Sequence, residues 1–198
     1  METIQGRKTR NLHLNELNRQ LGDYDRVLLD LGTGDGRYAR TLAGRFPRSF
    51  IIGLDSCREN LREHSQAKLT NLLFVIASAQ SLPEELQGLV SHIAINFPWG
   101  SLLDSLLTGD SALLGGLEAA AQPQATLDLR LNSGALTEVG STLEAGANTI
   151  YDNLYRVGWA MKAPQFMNHR ELRAFPSTWA KRLAFGRDPR AVMLRGHR

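Results

Sequence analysis

The sequence predicts an α/β protein: a mostly parallel sheet of seven strands, helices on both faces and a short N-terminal extension. Three observations lead there. Short apolar runs alternate with segments of helical period along the chain, the pattern of βαβ units. The first core run, RVLLDL at 26–31, empties into a glycine turn, GTGDG, and then into a helix-like segment. Two further runs end on Asp55 and Asn96. Polar groups thus gather at the strand ends, where open α/β sheets bind ligands.

Residues 1–10, METIQGRKTR, read as a hairpin or an arm. Leu14, Leu17 and Leu21 recur at helical spacing, so 13–21 is a short amphipathic helix ended by Gly22 and Asp23. Strands follow at 26–31, 49–55, 72–77 and 90–96. Between them lie a helix over 35–45, with Tyr38, Leu42 and Ala43 inward and Phe46-Pro47 as its stop, and a helix over 56–66 with Ser56 as cap. Helices at 101–107 and 111–121 precede ATLDLRL, 125–131, whose alternation marks a less buried strand. The Gly/Ser/Thr-rich stretch 133–147 reads as a loop, 148–157 as a helix closed by Gly158, and 159–167 as a strand. Short helices and loop around Pro176 fill 168–186, and 191–195 is the last strand. We expect one domain over 1–198: an extension (1–25), a cofactor-binding core (26–132), then substrate-recognition linkers and the last strands (133–198).

Composition excludes several classes. The single cysteine, Cys57, allows no internal disulfide and no cysteine-rich metal site, and the five histidines lack metal-ligand spacing, so no metal is expected. His92 and Trp159 read as core. No apolar run approaches ~18 residues and the first residues lack a signal-peptide core, so a cytoplasmic protein without a membrane partner is expected. The net charge of +3 is unevenly spread. Residues 1–83 hold 12 Lys/Arg against 9 Asp/Glu, residues 156–198 hold 10 against 2, and residues 84–155 hold one basic residue, Arg130, against 9 acids. Two basic ends flanking an acidic middle suggest one positively charged face, which would suit a phosphate backbone; the alternative is a solvated basic tail.

The glycine turn is spaced G-x-G-x-G, unlike the G-x-G-x-x-G of dinucleotide binders. S-adenosylmethionine (SAM) fits better, since it has no pyrophosphate and calls for mixed polar groups. Gly32, Thr33, Gly34 and Asp35 would line it, Asp30 would accept from its ammonium, and Asp55 would accept from its ribose hydroxyls, with Ser56 beside it. Ala79 and Gln80 follow the third strand on the same edge and suit an adenine. Asn96-Phe97-Pro98-Trp99 ends the fourth strand with an aromatic able to stack on a base; Pro98 restricts Phe97 to extended backbone.

Taken with these motifs, the chain resembles the Kam/Npm-type bacterial 16S rRNA methyltransferases that modify ring nitrogen 1 of adenine 1408 and confer aminoglycoside resistance. The likeness runs in order through VLLDLGTGDGRYAR, IIGLDS, SAQSLP, INFPWGSLL and STWAKRLAFGRD. It implies a Rossmann-like class I SAM-dependent methyltransferase acting on the 30S subunit, expected as a monomer, with S-adenosylhomocysteine as product. It also implies that Trp99 and Trp179 sandwich a flipped adenine. Phe97 and Pro98 would orient that base, and Ser177 would fix the second tryptophan, although it can equally cap a helix. Ser101 would touch the cofactor or cap its own helix. Arg182 and Arg187 would contact rRNA phosphate, and Arg7, Lys8, Arg62 and Lys68 extend the basic surface.

Two departures stand out. Gln80 occupies a position where the family carries an acid, and the 61–73 linker offers only Arg62, Lys68 and His64 as basic groups. Alternatives are a tRNA guanine-N(7)-type methyltransferase, whose Pro-Asp-Pro-Trp motif is replaced here by FPWG, and a weakly active SAM- or RNA-binding homologue. A small-molecule methyltransferase fits the basic C-terminal segment less well.

Overall fold

A computed structural model describes residues 1–186 and 188–198, with the side chains of Trp179 and Ala184 also outside the description. The N-terminal residues form a hairpin, β1 (Glu2–Gln5) and β2 (Lys8–Asn11), followed by helix α1 (Leu14–Leu21). The central strand β3 (Arg26–Leu31) leads through the glycine turn into α2 (Arg37–Arg45), then β4 (Ser49–Asp55), α3 (Arg58–Leu61) and β5 (Leu72–Ile76). Strand β6 (Val90–Asn96) is followed by α4 (Gly100–Thr108), α5 (Ser111–Ala120) and the long β7 (Ala121–Asn132). The chain ends with α6 (Ser133–Glu138), α7 (Leu143–Arg156), β8 (Ala160–Met167), α8 (His169–Ala174), α9 (Thr178–Ala184) and β9 (Ala191–His197).

Among the described residues these strands make one nine-stranded sheet, ordered β2-β1-β5-β4-β3-β6-β7-β9-β8. Strands β5-β4-β3-β6-β7 are parallel, and β9 runs antiparallel between β7 and β8. The seven expected strands are present; the hairpin adds two more by pairing β1 with β5. The C-terminal ends of the parallel strands, and of β8, therefore face one edge, and the β8–β9 connection carries α8 and α9 across it.

The main core lies under α4, α5 and α7 and includes Leu29, Phe50, Ile93, Leu127, Leu106, Ile150 and the fully buried Trp159. The other face buries Ile51, Phe74, Ala39 and Ala43 under α2. A third cluster of Phe97, Leu172, Ala180 and Ala191 holds α8 and α9 onto the end of β6. Each fully buried side chain of this kind contributes about 1.5–3 kcal/mol.

Three expectations need correction. The stretch 133–147 is not a loop: α6 and the first turn of α7 occupy it. Leu136 is buried, Thr142 caps α7 through Ala145 N, and Gly146 lets Leu136 pack where a Cβ would collide. The helix over 56–66 is broken into α3 and a 3-10 turn at His64–Gln66, and its N-cap is Cys57 rather than Ser56. The cause is Asp55, whose Oδ1 accepts from Cys57 N at 2.8 Å and turns the chain there. Phe97 is not extended; its φ is +54°.

Candidate active site

Sequence and packing together fix the glycine turn. Gly32 N and Thr33 N donate to Leu54 O (2.9 and 3.0 Å), tying the turn to the end of β4. Gly32 has φ +70°, and a Cβ there would lie 2.6 Å from Leu102 Cδ2, so only glycine fits between β3 and α4. Gly34 N donates to Asp55 Oδ2 at 2.9 Å, which sets the carboxylate directly across the turn.

Beside this turn lies a cleft of about 230 Å³. It is lined by Gly32, Gly34, Asp55, Ser56, Ala79, Gln80, Asn96, Phe97, Pro98, Trp99 and Ser101. Residues from four connections thus meet as the sequence anticipates. The Gln80 amide has other partners: Nε2 donates to Ser101 O (3.1 Å) and Ser105 Oγ (2.8 Å), and Oε1 accepts from Ser78 Oγ. It ties the loop to α4, and the Gln80 backbone N–H donates to Ser78 Oγ at 3.3 Å. Ser101 is not the cap of α4; Trp99 holds that position and is 45% exposed at the rim.

An adjoining small cavity of about 20 Å³ shares Gly32 and Asn96 with the cleft and is lined also by Asp30, Thr33, Asp35, Tyr38 and Ser177. Asp30 is 2% exposed. Its Oδ2 accepts from Thr33 Oγ1 and its Oδ1 from Asn96 Nδ2 at 3.1 Å. Burial pushes its carboxyl up to about 6; those two hydrogen bonds oppose the rise, Asp55 adds to it and Arg130 counters it. Tyr38 is held protonated, its hydroxyl pushed up to about 12 by burial. His92 is a half-buried strand residue bonded to Thr126 Oγ1 at 2.8 Å and shifted down by burial.

The segment above the site is anchored by aromatic packing. Phe97 N donates to Arg130 O at 2.8 Å, and its ring meets Phe175 edge-on at 5.8 Å. Phe175 stacks on Tyr38 at 4.9 Å. This packing, together with the third cluster, overrides the local preference set by Pro98 and holds Phe97 at positive φ, a strain of about 1–3 kcal/mol of the kind found at functional sites. Ser177 caps α9 by accepting from Ala180 N at 3.3 Å. Thr178 Oγ1 donates to Asp35 Oδ2 at 2.6 Å, so the glycine turn and α9 are joined. Trp179 lies in the first turn of α9; its side chain is outside the described residues.

The basic residues divide. Arg182 is exposed on α9, and Arg187 lies outside the described residues. The register of β1 against β5, Thr3↔Val75 and Ile4↔Phe74, carries the turn with Arg7 and Lys8 toward the opposite end of the sheet. Gly6 N there donates to Ser65 Oγ at 2.9 Å, joining the hairpin to the linker of Arg62 and Lys68; Arg62 pairs with Glu59. Sequence reasoning missed Thr178 and the buried Arg130. The isolation of Arg130 in an acidic stretch was the available signal for the second; nothing local marked the first.

The glycine cradle, the carboxylate across it and the buried Asp30 fit a ligand with the size and polarity of SAM. Comparison with known proteins agrees. Residues 2–198 match the family model NpmA, described as 16S rRNA (adenine(1408)-N(1))-methyltransferase. A 16S rRNA (adenine(1408)-N(1))-methyltransferase of Escherichia coli is 33% identical, over 100% of this chain and 98% of that protein. The solved structure of an antibiotic-related methyltransferase superposes with a TM-score of 0.89 at 34% identity, covering 99% of this chain and 100% of the other. A W203A variant of the 16S rRNA (adenine(1408)-N(1))-methyltransferase from Catenulisporales acidiphilia, solved with SAM, gives 0.87 at 26% identity, covering 100% and 96%.

Proposed function

The chain belongs to the NpmA family of 16S rRNA (adenine(1408)-N(1))-methyltransferases, and we propose that it methylates ring nitrogen 1 of adenine 1408 in the 16S rRNA of the 30S subunit, conferring aminoglycoside resistance. One observation carries the reading: the glycine-turn cleft and the Asn96–Trp99 strand end meet at a single sheet edge, beneath α8 and α9.

SAM supplies an electrophilic methyl group and leaves as S-adenosylhomocysteine. Asp30 takes its ammonium. Asp55 takes its ribose hydroxyls on the lone pairs that the Gly34 and Cys57 N–H groups leave over. The backbone of Ala79 and Gln80 reads the adenine of the cofactor. Trp99 and Trp179 flank the flipped target base, and stacking worth ~1–3 kcal/mol per base offsets its unstacking. Ser177 fixes the start of the helix that bears Trp179. Ring nitrogen 1 of adenine carries its lone pair at neutral pH, so no residue has to remove a proton. The residues work by positioning, and the two indole faces favour the cationic product. Arg182 and Arg187 hold rRNA phosphate. The protein acts as a monomer in the cytoplasm and needs no metal.

Incubation with SAM labelled in its methyl group tests this reading. Label is expected in purified 30S subunits and not in tRNA; label in tRNA alone would refute it.

A further inference from the structure

Arg130, the one basic residue between 84 and 155, is 8% exposed and lies between the cofactor and base sides of the site. We propose that Arg130 is a positioning residue that keeps those two sides in register: one edge of its guanidinium orients Asn96 against Asp30, and its face braces Phe175 in the connection from α8 to α9. This role rests on the reading of the site as SAM-dependent methyl transfer.

The guanidinium carries donors only. Arg130 Nη1 donates to Asn96 Oδ1 at 2.9 Å, which turns the Asn96 oxygen toward the arginine and Asn96 Nδ2 toward Asp30 Oδ1. Without that donor the amide can rotate and set its oxygen against the carboxylate. Arg130 Nη2 donates to Asp128 Oδ2 at 2.9 Å, so the fork is held at both ends and its charge is paired. The guanidinium carbon lies 4.7 Å from the centre of the Phe175 ring, a cation–π distance. Phe175 leads through Pro176 directly to Ser177, the cap of α9, and so sets where the Trp179 helix begins. The Arg130 carbonyl meanwhile accepts from Phe97 N, next to Pro98 and Trp99. One residue therefore touches the parts that hold the cofactor and the parts that lead to both tryptophans.

The groups acting on Asp30 are Thr33 from the turn, Asp55 from β4, Asn96 from β6, and Arg130 from β7; buried Tyr38 of α2 and Asp128 of β7 stand behind them. Arg130 is the cation among these. Its loss raises the pH at which Asp30 protonates.

Four variants separate the two arms: Arg130→Met, Arg130→Lys, Asn96→Leu and Phe175→Leu. The readouts are SAM affinity against pH, by calorimetry, and kcat and KM on 30S subunits. In the wild type, SAM affinity falls as Asp30 protonates near pH 6. Asn96→Leu moves that midpoint upward by about half a unit or more. Phe175→Leu leaves the midpoint in place and lowers kcat by about 10- to 100-fold, with the KM for SAM little changed. Arg130→Met shows both effects. Arg130→Lys, which keeps the charge but not the fork, recovers the midpoint and not kcat. Wild-type midpoint and kcat in Arg130→Met would overturn the proposal, as would equal shifts of the midpoint in Asn96→Leu and Phe175→Leu. Should Arg130→Met not fold, the contrast between the latter two variants decides the matter. A wild-type protein that bound no SAM would instead refute the functional reading beneath it.

Discussion

Asp30 is held charged at neutral pH in a place that resists charge. Its carboxyl is raised from the ordinary 3.8 to about 6, mainly by burial. A raised carboxyl favours the folded state when protonated, so this contribution is fully present below pH 3.8 and is lost as pH rises through 6. At pH 8 the ionised group costs the free protein on the order of 3 kcal/mol. Asp30→Asn should therefore raise the melting temperature of the free protein at pH 8, with the gain shrinking by pH 5, while SAM binding measured by calorimetry is lost. Trp179→Ala should abolish methyl transfer and leave the SAM dissociation constant within about twofold; loss of SAM affinity would contradict its assignment to the base. At this scale the placement of the acids was legible, because both stand at strand ends beside the glycine turn. The backbone of Phe97 was not. The preference imposed by Pro98 is local, whereas its positive φ is enforced by Phe175 and Arg130, which are distant in sequence. Alternation along β7 likewise says which face Arg130 occupies and nothing of its partners.

Helices α8 and α9 are joined to the body by a small cluster of their own and by the Thr178–Asp35 hydrogen bond. Leu172 is fully buried at the centre of that cluster. Leu172→Ala should cost about 2–5 kcal/mol locally. Hydrogen exchange should rise over 168–186 while β3, β4 and β6 keep their protection; a uniform rise across the sheet would show that the segment is not a separate unit. The parallel strands were readable almost to the residue: β3, β4 and β6 occupy the expected 26–31, 49–55 and 90–96. Their apolar runs are largely buried and end sharply, β3 at the glycine turn, β4 at Asp55 and β6 at Asn96. The stretch 133–147 was misjudged from composition. Its glycines and hydroxyl residues serve close packing and capping, as Gly146 against Leu136 and Thr142 at the start of α7 demonstrate. The linker after β4 was overextended because helical period alone does not reveal the turn that Asp55 imposes.

Over the whole molecule, the basic ends of the chain do not converge on one spot. Arg182 is borne by α9 at the edge where the parallel strands end, and the hairpin turn with Arg7 and Lys8 is carried toward the other end of the sheet, beside the linker. Charge counts along a sequence cannot show this, since strand direction decides it. If Arg182 meets a phosphate, Arg182→Ala should weaken 30S binding and reduce the slope of log affinity against log salt by about 0.7–0.9; an unchanged slope would place it outside the interface. Membership of the NpmA family and the sheet edge where cleft, strand end and α9 meet support the proposed outcome, a methyl group on ring nitrogen 1 of adenine 1408. Reverse transcription across the decoding site of 16S rRNA, from 30S subunits incubated with the protein and SAM, tests this most directly. A methyl group there blocks base pairing, so a SAM-dependent stop is expected at adenine 1408 and is absent with Trp179→Ala. Read-through at that position with the active wild-type protein, or a stop at another base, would contradict it.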